Sequence, residues 1–92
     1  QEIDPRNAIV YNSRGFTNYR LGNYLDAIND YSKGLDLEPN NAISYYNRGM
    51  AYLKLNDKAN ACIDFHKSCK LDNVNGCKMV VSECSSKRIE AN

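Results

Sequence analysis

The sequence predicts an all-α chain, an α-solenoid of antiparallel helix hairpins. Three observations predict it. The stretch "DPRNAIVYNSRG" at residues 4–15 returns as "EPNNAISYYNRG" at residues 38–49, 34 positions later. Apolar residues inside each copy recur at helical spacing. Residues that stop or start helices fall between the periodic stretches. The register holds through a whole period, in the pairs Pro5/Pro39, Asn7/Asn41, Ala8/Ala42, Tyr11/Tyr45, Arg14/Arg48, Gly15/Gly49, Ala27/Ala61, Asp30/Asp64, Lys33/Lys67 and Leu37/Leu71. Such persistence marks an internal repeat.

Residues 1–7 come first. "EIDP" aligns with the "LEP" that ends the first full unit, so this segment reads as the tail of a preceding repeat or a linker, and the chain is expected to begin where a longer array was cut. Residues 8–41 form the first unit. Ile9, Tyr11, Gly15, Tyr19 and Leu21 place a helix there, and Gly22 can leave it in a left-handed conformation. Asn23 is then expected to cap a second helix carrying Ala27, Ile28, Tyr31, Leu35 and Leu37, with Asp26 in its first turn. Pro39 ends that helix, because proline cannot continue it. Residues 42–75 repeat the scheme, with Asn41 or its neighbour capping the third helix and Asp57 the fourth. Residues 76–92 keep helical spacing through Met79, Val80, Cys84 and Ile89 but lack a second helix. They read as a capping helix that presents Lys78, Glu83, Lys87 and Arg88 to water.

Two features recur inside the helices. Gly15 and Gly49 occupy positions where glycine costs about 1 kcal/mol relative to alanine, which points to close helix–helix contact, with Ala27 and Ala61 as the small partner surface. Arg14 and Arg48 recur with Asp30 and Asp64. Ion pairs between packed helices and independent solvated charges both fit that pattern.

Composition narrows the function. Twelve basic residues face eleven acidic ones, so there is no basic footprint for nucleic acid. No apolar run approaches the roughly 18–20 residues that cross a bilayer, so membrane insertion is not expected. No signal or transit peptide is visible in "QEIDPRN". Glycine-rich phosphate loops, clustered metal ligands and nucleophile elbows are missing. The only histidine, His66, is expected on the outer surface. The chain is therefore read as a non-enzyme without cofactor or metal.

The cysteines are Cys62, Cys69, Cys77 and Cys84. Each pair seven apart lines one helix face. In an antiparallel hairpin, facing residues share an index sum, and Cys69/Cys77 and Cys62/Cys84 have the same one. The expectation is two disulfides, Cys62–Cys84 and Cys69–Cys77, clamping the cap, each worth on the order of 2–4 kcal/mol. Two repeats and a cap fall below the roughly three repeats that a stable array needs, so the clamp would supply missing support. It would also imply an oxidising compartment, periplasmic or secreted. Four buried free thiols in a cytoplasmic protein are the alternative. A zinc site fits less well, because no C-x-x-C knuckle is present.

The pattern Tyr11, Gly15, Ala27, Tyr31, Pro39, followed by Tyr45, Gly49, Tyr52, Ala61, Phe65, resembles the tetratricopeptide repeat, with Asn73 where a proline would fall. The match covers residues 8–75. The resemblance implies a right-handed solenoid whose first helices line a concave groove for an extended peptide or a partner helix. Carried over by position, the groove would show Asn12, Phe16, Tyr19 and Arg20 in the first unit, and Tyr46, Asn47, Met50 and Lys54 in the second. Asparagine can hydrogen-bond a peptide backbone, the aromatic and methionine side chains give adaptable apolar contact, and Arg20 and Lys54 favour acidic groups. Some members clamp the C-terminal carboxylate of heat-shock chaperones with a lysine and an asparagine in the first unit and an asparagine in the second. Asn47 matches the last, but Asn12 and Phe16 stand where the other two would be, so chaperone-tail binding is not expected. Self-association through the exposed first helix and a role as an accessory domain of a longer chain are the other readings.

Overall fold

The computed structural model describes residues 6–84, and residues 1–5 and 85–92 lie outside the described part. Five α-helices follow in order: α1 (Ala8–Arg20), α2 (Tyr24–Leu37), α3 (Ala42–Lys54), α4 (Lys58–Lys70) and α5 (Val74–Met79). A π-helical turn, Val80–Cys84, continues α5. Each helix packs on its neighbours in the chain, and α1 also touches α3. The result is a solenoid of two hairpins, α1–α2 and α3–α4, with the tail laid on α4.

Three of the turns are built alike. After α1 the Gly22 N–H donates to the Tyr19 carbonyl at 3.0 Å and the Asn23 N–H to Asn18 at 2.8 Å. After α3, Asn56 and Asp57 donate to Leu53 and Tyr52; after α4, Asp72 and Asn73 donate to Cys69 and Ser68. These paired bonds are Schellman caps, which need a left-handed residue. Gly22, Asn56 and Asp72 fill that place with φ of 84°, 62° and 69°. The next residue then begins the following helix, as Asn23, Asp57 or Asn73.

Helix starts follow the sequence with one exception. Asn7, Asn41, Asp57 and Asn73 each accept a bond from the main chain three residues on, at 3.3, 3.1, 3.2 and 2.8 Å. Asn23, expected to cap α2, makes no such bond. Its side chain instead donates to Asn18 Oδ1 at 3.5 Å.

The core is a line of small and aromatic side chains. Ala27, Ala51, Ala61 and Phe65 are fully buried and Tyr31 is 1% exposed. The recurring glycines meet those rings, not chiefly the alanines expected from sequence. A Cβ on Gly15 would stand 3.1 Å from the Tyr31 ring, and one on Gly49 would stand 2.7 Å from Phe65 and 3.2 Å from the Ala61 carbonyl. The absence of a side chain lets an aromatic ring lie flat on the helix backbone.

The recurring charges pair. Arg14 Nε and Nη2 donate to Asp30 at 2.9 and 2.7 Å, and Arg48 donates likewise to Asp64 at 2.8 Å twice. The reading as independent solvated charges is therefore set aside. Arg48 Nη1 also donates to Ser32 Oγ of the preceding unit at 2.9 Å, which stitches one hairpin to the next. The Arg14 side chain is 50% exposed and that of Arg48 is 20% exposed. Burial pushes the Asp64 carboxyl above its ordinary range, against the pull of Arg48. The Asp64 bond in turn holds the Arg48 guanidinium above its ordinary value, and the two-point contact fixes how α3 sits on α4.

The tail differs from the expected capping helix. It starts at Val74 rather than residue 76, and after Met79 it widens into the π turn. Its cap, Asn73, follows Asn41 by 32 positions, whereas Asn41 follows Asn7 by 34. Glu83, expected in water, is half-buried and lies 3.8 Å from Lys58. The expected continuation through Lys87, Arg88 and Ile89 falls outside the described residues, as does the segment at residues 1–5. The tail is set on α4 by a close approach at Gly76, whose missing Cβ leaves room for the buried Ser68. Sulfurs at bonding distance join Cys62 to Cys84 and Cys69 to Cys77, with Cα separations of 5.8 and 4.5 Å.

Candidate functional site: a groove between the first helices

The groove follows from helix periodicity. On α1, positions 9, 12, 16 and 20 fall on one face, and on α3 the equivalent positions are 43, 46, 50 and 54. Where these faces meet, Phe16, Tyr19, Tyr46, Asn47 and Met50 line a cavity of about 200 Å³. Two roomier hollows, about 380 and 370 Å³, sit against the turns at residues 38–41 and around Gly22. They are more open, so the more recessed, mostly apolar cavity is the better ligand seat.

Its walls are held from behind. The Tyr19 ring meets Tyr24 edge-on at 5.5 Å, and Tyr46 leans on Phe65 at 6.0 Å. Burial pushes the Tyr19 phenol up, with smaller contributions from Tyr24 and Tyr46. Phe16 is 48% exposed, a large fraction for an apolar aromatic. The Arg20 guanidinium lies 5.8 Å from its ring centroid, in reach of a cation–π contact.

Of the eight residues carried over from the repeat family, five line the cavity. The other three stand apart. Asn12 turns its carboxamide oxygen onto Gly34 of α2, where it is buried without a hydrogen-bond partner. Asn12 therefore packs its carboxamide oxygen into the first hairpin. Arg20 lies with Thr17 and Leu21 at the end of α1, and Lys54 is exposed in the last turn of α3. Sequence reasoning missed Ile9 and Ile43. They are 70% and 61% exposed and extend the same stripe toward the helix starts. Their identity across the repeat was a signal, but Ile9 was used only as one of the periodic residues that place the first helix.

Among the described residues there is no group of three or more potential metal ligands. None of their helices is long and apolar enough to cross a membrane. His66 is exposed.

Comparison with known proteins agrees with this architecture. The family model described as "TPR repeat" matches residues 19–56, and that described as "Tetratricopeptide repeat" matches residues 42–75. Together they span more than half of the chain. A similar solved structure is the first TPR of Spaghetti (RPAP3) bound to HSP90 peptide SRMEEVD, with a TM-score of 0.69 and 33% identity. The alignment covers 76% of this chain and 57% of that one, so the chain spans little more than half of the neighbour's length. A search of curated proteins gives no match. The 34-residue hairpins, the ring-on-glycine contacts and the two family matches lead to one assignment: this chain belongs to the tetratricopeptide repeat family.

Proposed function

We propose that the chain is a protein–protein interaction scaffold that seats an extended peptide or a partner helix across α1 and α3. The observation that carries this reading is the cavity between consecutive first helices, with Phe16, Tyr19, Tyr46 and Met50 as its apolar wall and Asn47 as its polar group. A space of that size takes one medium apolar side chain, while the flanking stripe through Ile9 and Ile43 accommodates neighbouring residues. Repeat family membership and a structural neighbour bound to a short peptide support a polypeptide ligand. The neighbour's own peptide is a poor guide to this chain's partner. Asn12 and Phe16 occupy places where a chaperone-tail clamp uses a lysine and an asparagine.

The test uses peptides selected by display against the folded chain. Tyr46→Ala and Asn47→Ala should each weaken the selected peptide by about tenfold or more, since central aromatic and buried polar contacts dominate such interfaces. Unchanged affinity in both variants overturns the groove.

Self-association is the second reading, favoured by the half-exposed Phe16 and the exposed Ile9 and Ile43. Sedimentation across a range of concentrations decides it, and a concentration-independent monomer rejects it. The four cysteines support two disulfides and an oxidising compartment, periplasmic or secreted. Mass mapping of folded, non-reduced chain would return the Cys62–Cys84 and Cys69–Cys77 peptides as linked pairs. Free thiols would favour a cytoplasmic protein.

A further inference from the structure

The 34-residue repeat makes α1 the counterpart of α3 and α4 the counterpart of α2. The contact between α2 and α3 is therefore a template for the matching faces of α4 and α1. On α3, Ser44, Arg48 and Ala51 share one face. Ala51 is fully buried against Ala27 and Tyr31 of α2, and Arg48 Nη1 donates to Ser32 Oγ at 2.9 Å. The same places on α1 are Val10, Arg14 and Thr17. Here Val10 is half-buried, the Arg14 side chain is 50% exposed and Thr17 is exposed. This stripe lies about a third of a turn around α1 from the groove. Among the described residues no helix takes the place on it that α2 takes on α3.

At the other end, α4 repeats the α2 face. Ala61 and Phe65 stand in the places of Ala27 and Tyr31, and His66 in that of Ser32. Two places differ. Ile28, packed on the cluster of Ala27, Tyr31 and Ala51, becomes Cys62, and the buried Leu35 becomes Cys69. Those are the α4 residues joined to the tail, Cys62 to Cys84 and Cys69 to Cys77. α5 has only six residues against thirteen in α3, too short to hold its place without outside support. Crosslinks thus stand where apolar side chains hold the first interface. All four cysteines are half-buried, so a thiol reagent can reach them.

We propose that the cystine-bound tail is a releasable stopper: opening both crosslinks frees it from α4, and the bared α4 face takes α1 of a second copy. This rests on the disulfide reading above. Each crosslink opens by thiol–disulfide exchange with a dithiol. One dithiol sulfur, as thiolate, attacks a cystine sulfur, and the other cysteine leaves as a thiolate. The second dithiol sulfur then displaces the first cysteine and closes the reagent's own disulfide. Two electrons pass to each cystine, and the dithiol's two protons end on the two cysteines. In the joined copies Thr17 lies on Ala61 and Phe65, as Ala51 lies on Ala27 and Tyr31. A neutral His66 accepts from Arg14, as Ser32 accepts from Arg48. The joined faces are unlike, so every added copy leaves a free end and the array grows instead of closing as a dimer. The clamp keeps the oxidised chain single.

The test is sedimentation velocity of the full chain over about a hundredfold range of concentration, with and without dithiothreitol, with free thiols counted by alkylation and mass spectrometry. The oxidised chain should show no free thiol and remain a monomer throughout. The reduced chain should show four free thiols, keep its helical circular dichroism and pass beyond the dimer as concentration rises. Thr17→Lys sets a charge at the exposed centre of the α1 stripe. It should leave the circular dichroism unchanged and raise the concentration needed for assembly of the reduced chain by about tenfold or more, because the interface would bury that charge. Aggregation of unfolded chain would ignore this substitution. Free thiols in the folded, non-reduced chain overturn the clamp, and an oxidised chain that already assembles overturns the stopper. Loss of helix on reduction overturns the proposal, since the released chain then has no face to offer. Four released thiols on a lasting monomer, assembly that stops at a dimer, or assembly indifferent to Thr17→Lys overturns the stacking.

Discussion

Phe65 and Tyr31 occupy the same place in the two units, yet their glycines are not equally tight. The hypothetical Cβ on Gly49 meets Phe65 at 2.7 Å, whereas that on Gly15 meets Tyr31 at 3.1 Å. Phe65 is fully buried and cannot retreat. Gly49→Ala is therefore expected to destabilise by about 1–2 kcal/mol, overpacking outweighing the gain in helix propensity. Gly15→Ala should be milder, and urea unfolding of both variants checks the order. Tyr31 makes a pH prediction. Its phenol is raised in the folded chain, so its neutral form supports folding fully below an ordinary tyrosine value of about 10 and that support is lost as pH rises toward about 12. Alkaline unfolding should shift to higher pH in Tyr31→Phe; an unshifted transition contradicts the burial argument. The glycines were legible in the sequence because they recur. Their partners were not, since small-against-small is the simplest guess and a ring lying on a helix backbone leaves no mark in spacing.

Turns were the most legible elements, because Schellman geometry depends on local chemistry. Gly22 announced itself, and Asn56 and Asp72 fill the same left-handed place less easily. Gly22→Ala should cost about 1 kcal/mol. Asn56→Gly should stabilise by roughly 0.5 kcal/mol, a rise of about 3 °C in melting temperature for a chain of this size. Thermal melts of both variants check the signs. The tail was less legible. Its early start at Val74 and its π turn answer to packing on α4, to the fit of Gly76 over Ser68 and to the cysteine positions. None of these constraints is periodic. Asn23 shows the same limit from another side: its residue type suits an N-cap, but Asn18 lies close enough to claim its amide.

On the scale of the molecule, two hairpins bury a narrow core. Reduction of the two cysteine pairs is expected to lower stability by about 4 kcal/mol or more, each crosslink contributing roughly 2–4 kcal/mol. The tail should loosen first. Hydrogen exchange in α5 and the π turn would then rise on adding reductant while α1 and α2 change little. Equal loss of protection throughout would show that the tail is not a separate clamp. The groove was legible as a face, through position in the repeat, but not as a cavity. Asn12 shows why: its fate was set by Gly34 on another helix.

The shared turn residues carry a mechanical consequence. Asn23, Asp57 and Asn73 each finish one helix's hydrogen bonding and open the next, so the joints within hairpins and before the tail have no slack. Among the described residues, only the passage from Glu38 to Asn41 separates two helices by residues outside such a cap. Bending between the two hairpins is therefore expected at that joint, around Pro39, against the hold of the Arg48–Ser32 bond. A substitution there, far from any side chain a guest would touch, is expected to change the spacing of α1 and α3.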